Sequence, residues 1–578
     1  MTRTIRRREA AETLDPQGDW PQQMSPLLRR VYAARGAHTH ALAQPRLGQL
    51  LPPDALLGID AAARLLAGAM TAGRHIVIVG DFDCDGATAC AVAVRGLRML
   101  GAQHVSYAVP NRMVHGYGLS PALVEELVGM CPDVLVTVDH GIACHAGIAA
   151  AKAHGWQVLV TDHHLPGEQL PLADVIVDPN LADDSFPSKA LAGVGVMFYV
   201  LLALRSHLRN AGRFGDDPPD LSVLLDLVAV GTVADLVPLD ANNRTLVAAG
   251  LRRLRAGHGC AGLHALIEVS RKQAATLTTS DIGFSMAPRI NAAGRLEDMA
   301  LGIECLLCDD PRRARELAEV LDGINAERRG VQQQMVGDAE AALAGLSFDL
   351  ENGRASVCLY REDWHPGVVG LVASKIKERV HRPAIAFAPS DVGSDLLRGS
   401  ARSISGFHIR DALAAVDTQH PGLIEKFGGH AMAAGLSLRL IDLPMFQAAF
   451  ERCAAAMLSP ELLQDVILSD GAMPPEVCDI GTALALRDGG PWGQGFPEPL
   501  FDDVFEIIGW KILGEQHLKL ELVWPGIATK RMNAIHFGGW TGEPPALRSR
   551  IAYRLQPDDW RGGDAVQLIV VHREPAPG

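Results

Sequence analysis

No apolar run in this sequence is long. Segments such as "HIVIVG" and "DVLVTVD" stop well short of the ~18–20 residues that cross a bilayer, so no membrane association is expected. The opening "MTRTIRRREAAETLD" has arginines but no apolar core, which excludes a secretory signal; it reads as a frayed terminus, and residues 1–50 as a loosely packed leader. Cysteine provides no framework either. The ten cysteines are scattered, and Cys305 and Cys308 form a CxxC in "ECLLCDDP" that reads as a helix end without a second pair to complete a zinc site. Reduced thiols in the cytoplasm are the expectation. Internal repeats are absent, and no G-x-G-x-x-G follows the first strand, which argues against a plain dinucleotide-binding protein. Positive charge is also in deficit: the net charge is −14, so the chain does not coat nucleic acid through its overall field, although a local basic groove stays open.

Apolar residues, at 48% of the 578, are plentiful enough for several cores. Between about 54 and 205, uninterrupted apolar strands alternate with helices. The strands are 75–81, 104–109, 133–139, 156–162 and 173–178; the helices are 87–100, 121–130, 143–154 and 191–208. That alternation predicts an α/β domain with a parallel, doubly wound sheet. Residues 221–330 read as mostly helical. The charged, amphipathic stretch beginning "DPRRARELAEVLDGINAERRG" reads as one long connector helix, a second α/β region spans about 355–455, and period-two segments such as "HLKLELVW" and "VQLIVVH" point to a C-terminal β-barrel.

The chemistry gathers at the strand ends of the first region. "GDFDCDGAT" carries Asp81, Asp83 and Asp85, "VDHG" carries Asp139, and "TDHH" carries Asp162, His163 and His164. In an open parallel sheet ligands bind at the carboxyl ends of the strands, so these residues converge on one edge. Taken singly, "DFDCDG" also reads as an Asx-rich turn capping the next helix, and "TDHH" as a capped turn. Together they form a cluster of acids that cations would have to neutralise, and oxygen donors with an imidazole suit Mn²⁺ or Mg²⁺.

These stretches, with "VPNRMVHGYGLS", "TVDHGI", "LVAVGTVADLVPL", "GFSMAPRINAAGRL", "WHPGVVGLVASKI", "GSARSISGFHI", "FGGHAMAAGLSL" and "GPWGQGFPEPLF", resemble in order and spacing the DHH phosphoesterases, and within them the bacterial RecJ single-strand exonucleases. The resemblance covers about residues 50–575. It implies a DHH catalytic domain with a helical extension (51–309), a connector helix (310–346), a DHH-associated substrate-binding domain (347–458) and an OB-like barrel (463–578). It also implies two divalent ions held by Asp81, Asp83, Asp85, Asp139, His163 and Asp235, with Asp139 as the bridge. His164 would stand with the catalytic group and Asp162 behind the ligands. Arg112, Arg289, Ser400, Arg402 and His430 would contact a 5′-phosphate and the strand backbone, and Trp510, Lys511, His517, Lys519 and Lys530 of the barrel would meet single-stranded DNA.

The function implied is a 5′→3′ exonuclease on single-stranded DNA, releasing 5′-mononucleotides in recombination and repair. Single-strand-binding protein and a recombination helicase are the expected partners. Two alternatives remain: a DHH phosphodiesterase acting on short oligonucleotides, and an inactive single-strand-binding scaffold.

Overall fold

The structure is a computed structural model; it describes residues 3–8, 19–111, 115, 117–351, 354–391, 393–429 and 431–576, with only the backbone described for 342–351 and Ala528. Strand β1 (Thr4–Arg7) pairs in parallel with a strand more than 450 residues away, Val466–Ser469. The described part of the opening segment is therefore not a loose leader. The Pro26–Ala33 helix buries Val31 and Tyr32 completely, and Tyr32 stacks on Trp492 and Phe496. Just beyond it, Arg35 forms a buried pair with Asp470 at 2.8 Å. Sequence reading missed this because the docking residues are arginines and isolated aromatics without periodicity.

The first lobe is a five-stranded, all-parallel sheet of β2 (Ile76–Val79), β3 (Val105–Ala108), β4 (Val134–Val138), β5 (Gln157–Thr161) and β6 (Val175–Val177), in the order β3-β2-β4-β5-β6. Successive residues of β2 enter opposite cores, Ile76 and Ile78 on one face and Val77 and Val79 on the other. Burial on both faces is why these strands are apolar throughout rather than alternating. The chain leaves β2 toward β3 on one side and returns to β4 on the other. That reversal makes the cleft between β2 and β4 the switch point where such sheets bind ligands.

The connector helix runs Pro311–Glu351, longer than the sequence suggested and about 60 Å at 1.5 Å per residue. Ala314, Leu317, Ala318 and Leu321 lie in the first-lobe core, whereas Met335 and Ala339 lie in a core of the second lobe. One helix thus carries part of both interiors. The second lobe is a mixed sheet of β7 (Val357–Tyr360), β8 (Ala384–Pro389), β9 (Leu396–Arg402), β10 (Lys426–Gly429) and β11 (Ala433–Arg439), ordered β10-β11-β9-β8-β7. After β12 (Val466–Ser469), strands β13 (Phe501–Leu513), β14 (His517–Trp524), β15 (Ile527–His536), β16 (Arg548–Pro557) and β17 (Val566–Pro575) close a barrel in the order β13-β14-β15-β17-β16. Its interior is continuous with the first-lobe core. Among the described residues no helix is long and apolar enough to cross a membrane.

Candidate metal centre

Three of the expected acids come from one turn. Gly80 and Asp81 follow β2; Asp83 then caps the Cys84–Met99 helix, accepting the Gly86 amide at 3.0 Å, and Asp85 sits in that helix's first turn. Asp139 follows β4 with φ +65°, a left-handed conformation that non-glycine residues adopt at a cost and that recurs at functional sites. His163 and His164 follow β5. Asp235 ends the Leu225–Ala234 helix, and Leu236 after it is also left-handed at φ +62°.

These groups meet. Potential ligand atoms of Asp81, Asp83 and Asp139 lie within 4.8 Å of one another, as do those of Asp85, His163 and Asp235, and those of Asp139, His163 and His164. Asp139 and His163 each belong to two of the three groups. The His163 Nε2 is 3.1 Å from an Asp139 oxygen and 3.5 Å from Asp235.

Burial sets the electrostatics. Asp85 is 1% exposed, and burial first, then the charge of Asp83, pushes its carboxyl up to about 7. The amides of Val194 and Gly193 pull the other way, binding Asp85 at 3.0 and 2.6 Å at the N-terminus of the Gly193–Asn210 helix. Asp139 and Asp235 are also held well above the ordinary range, by burial and by the neighbouring aspartates. Without a counter-charge these acids cannot all ionise. Divalent cations fit this donor set, because the ligand atoms are mostly carboxylate oxygens with imidazole. Thiolate chemistry does not fit: burial and the flanking acids keep the Cys84 thiol protonated.

Asp162 stands apart from the cluster it supports. Its carboxylate accepts the Ile142 amide at 2.9 Å, the His163 amide at 2.7 Å and the His164 Nδ1 at 2.7 Å. Burial alone would raise its pKa, but the hydrogen bond and charge of His164 outweigh that and hold it well below the carboxylate range. Burial opposes the His164 charge in turn, and Asp162 overcomes it, so the imidazole titrates at about 9.

Several contributors have no signature in sequence. A Cβ on Gly193 would lie 2.5 Å from the Asp139 Cβ, one on Gly86 2.6 Å from the Asp81 amide nitrogen, and one on Gly231 2.9 Å from Asp85. Asn291 caps the Cys84 amide at 2.7 Å, and Gly294 lets its helix close on the Phe82 carbonyl. The block "GFSMAPRINAAGRL" signalled that the segment mattered, but not these two residues. His140, beside Asp139, is fully buried; its Nε2 meets the Val79 carbonyl at 3.0 Å, and burial lowers its pKa to about 4, leaving a neutral ring that ties β4 to β2.

The expected substrate contacts divide. Ser400 and Arg402 lie together on β9, with the guanidinium 3.0 Å from the Ser400 hydroxyl, and both crowd Gly370 of the Val369–Val380 helix, where a Cβ would sit 2.9 Å from Arg402. Arg289 is instead engaged with the connector helix, 2.8 Å from Asp322, and bonds the Ser285 carbonyl. Arg112 and His430 lie outside the described residues. On the barrel, Trp510 stacks with Trp540 and is 41% exposed, and Lys511 faces Lys519 across β13 and β14. Lys530 donates one hydrogen bond to the Pro475 carbonyl. A cleft of about 1200 Å³ at the barrel junction carries both signs: Arg46, Arg252 and Arg271 line it, while Lys272 pairs there with Asp281 at 2.8 Å and Arg487 with Asp488 at 3.0 Å.

Acids and imidazoles delivered by successive strand ends to one switch point define a DHH phosphoesterase, and the model of the DHH family, N-terminal domain, matches residues 75–232. The DHHA1 domain model matches 353–456 and the RecJ OB domain model 469–572. The chain belongs to the RecJ family. It is 48% identical to the single-stranded-DNA-specific exonuclease RecJ of Salmonella typhimurium over 98% of each chain, and 46% identical to that of Escherichia coli, again over 98% of each. The crystal structure of RecJ in complex with Mn²⁺ from Thermus thermophilus superposes with a TM-score of 0.77 at 30% identity, covering 96% of this chain and 76% of that one.

Proposed function

We propose that this chain is a single-strand-specific exonuclease that degrades DNA from the 5′ end and releases 5′-mononucleotides by metal-assisted hydrolysis. The observation that carries it is the intact rim cluster within a full-length RecJ match. Asp81, Asp83, Asp85, Asp139, His163 and Asp235 would hold two divalent ions, Mn²⁺ or Mg²⁺, the cations named for the Thermus crystal structures. Such a pair, when bound, activates water and neutralises charge on the phosphate. The protein's own part is to keep the carboxylates converged and, through Asp162, to hold His164 charged beside the phosphate position. Ser400 and Arg402, pressed against Gly370, offer an anion pocket on the second lobe. The barrel would hold the trailing strand by stacking and charge.

The role is recombination and repair in the cytoplasm, alongside single-strand-binding protein and a helicase. The barrel argues against an enzyme restricted to short oligonucleotides, and the complete acid set against an inactive scaffold. Strands blocked at one end decide the matter: a 5′ block should abolish digestion while a 3′ block leaves it intact. Unchanged digestion of the 5′-blocked strand overturns the polarity. A dinucleotide cleaved as fast as a long strand supports the short-substrate alternative.

A further inference from the structure

Behind the rim lies a buried carboxylate that the chemistry above does not use. Asp178 follows β6 and is fully buried; one oxygen accepts the Asn180 amide at 2.8 Å, and the other has no hydrogen-bond partner among the described residues. The turn it begins is clamped. Lys189 donates to the Pro179 carbonyl at 2.7 Å and to the Asp184 carboxylate at 2.7 Å. From this clamped turn the Asn180 side-chain amide reaches back and donates to the His163 carbonyl at 2.6 Å.

His163 is therefore gripped twice through its main chain, at the amide by Asp162 and at the carbonyl by Asn180. With both ends fixed, its ring has little freedom beyond its own side-chain torsions. Burial pushes the Asp178 carboxyl up to about 8, which suits a hydrogen-bonding brace rather than a charge competing for the cation.

We propose that Asn180, braced by Asp178, is a positioning residue that fixes the His163 imidazole for cation binding. This rests on His163 being a metal ligand. Groups behind a ligand that fix its orientation are typically worth about 10–100-fold in metal affinity. A purely structural turn would contribute to folding and leave that affinity alone.

Calorimetric titration of the full chain with Mn²⁺ alone, without DNA, separates the two. Asn180→Asp turns a carboxylate oxygen toward the His163 carbonyl, and Asn180→Ser withdraws the donor without adding charge. Both variants should bind Mn²⁺ about 10-fold or more weakly, Asn180→Asp the more so, while the melting temperature of the metal-free chain moves little and cleavage recovers at excess Mn²⁺. Affinity within about twofold of wild type in every variant that folds overturns the inference and leaves the metal centre standing. Asn180→Ser carries the test if Asn180→Asp does not fold. A wild-type chain that takes up no Mn²⁺ overturns both.

Discussion

The backbone amide of Gly193 donates to the Asp85 carboxylate at 2.6 Å while its α-carbon packs directly against Asp139, where a Cβ would lie 2.5 Å from the Asp139 Cβ. One residue thus sets the spacing between two carboxylates from different strand ends. Gly193→Ala must push Asp139 or the helix start aside. Misplacing a reacting group by about 1 Å costs on the order of 100-fold in rate. We expect Gly193→Ala to remain folded by circular dichroism and to lose about 100-fold in cleavage rate. Activity within a few-fold of wild type would show that the rim tolerates expansion.

The raised carboxyls imply a pH-dependent stability with a definite sign. Asp85 titrates at about 7, and Asp139 and Asp235 well above the usual range, burial being the first cause in each case. The folded, metal-free chain therefore holds protons that the unfolded chain has released by about pH 5. Stability from these groups is full below pH ~4 and is lost as pH rises through 7. Asp162 is held low and acts only below about pH 4, whereas His164, raised from its ordinary value to about 9, loses stability in the same direction as pH rises from about 6.5 and adds to the trend. Mn²⁺ should raise the melting temperature more at about pH 8 than at about pH 6. Equal shifts at both pH values would mean that the cation does not bind at these acids.

Arg35 anchors the N-terminal segment through a buried side chain. It chelates Asp470 at 2.8 and 2.9 Å and donates to the Pro497 carbonyl at 2.6 Å, both partners more than 430 residues away. Removing Arg35 strips Asp470 of its closest cation and leaves Arg8 at 3.5 Å, which sets the expected loss at about 3 kcal/mol, the low end for a broken buried pair. Arg35→Ala should show that loss in urea unfolding. Arg30→Ala removes an exposed bond to the Ala472 carbonyl and should cost about 1 kcal/mol. Equal effects of the two would mean that the segment is not held by the buried pair.

How much of this was legible depended on the kind of signal. The strand-end acids were readable because an apolar strand followed by Asp is a one-dimensional pattern, and the sheet's topology then gathers them without further information. Asp235 needed the family resemblance, since a helix-end acid has no pattern of its own. Gly193, Gly231 and Asn291 act by leaving space or reaching one amide, and such fits leave no periodicity. The docking of Tyr32 and Arg35 joins segments hundreds of residues apart through residues that locally look like a polar leader. Alternation on a strand says which face Lys530 occupies, not that one of its donors is given to the Pro475 carbonyl.

The barrel carries an arrangement that a bound strand would relieve. Lys511 and Lys519 stand directly opposite each other on β13 and β14, a like-charge pairing that destabilises a sheet on its own. Trp510, the residue before Lys511, presents a half-exposed ring stacked on Trp540. Successive strand residues face opposite sides of the sheet, so the lysine pair and the Trp510 ring present two separate faces, one suited to phosphate charge and the other to base stacking. Replacing each lysine by methionine should lower the salt dependence of single-strand binding by about one phosphate contact per substitution. Trp510→Ala should cost about 1–3 kcal/mol of affinity through lost stacking, with little change in the salt slope. The two losses should be separable in a salt titration on a long oligonucleotide. If the lysine variants leave the slope untouched, the strand leaves the catalytic lobe by another path.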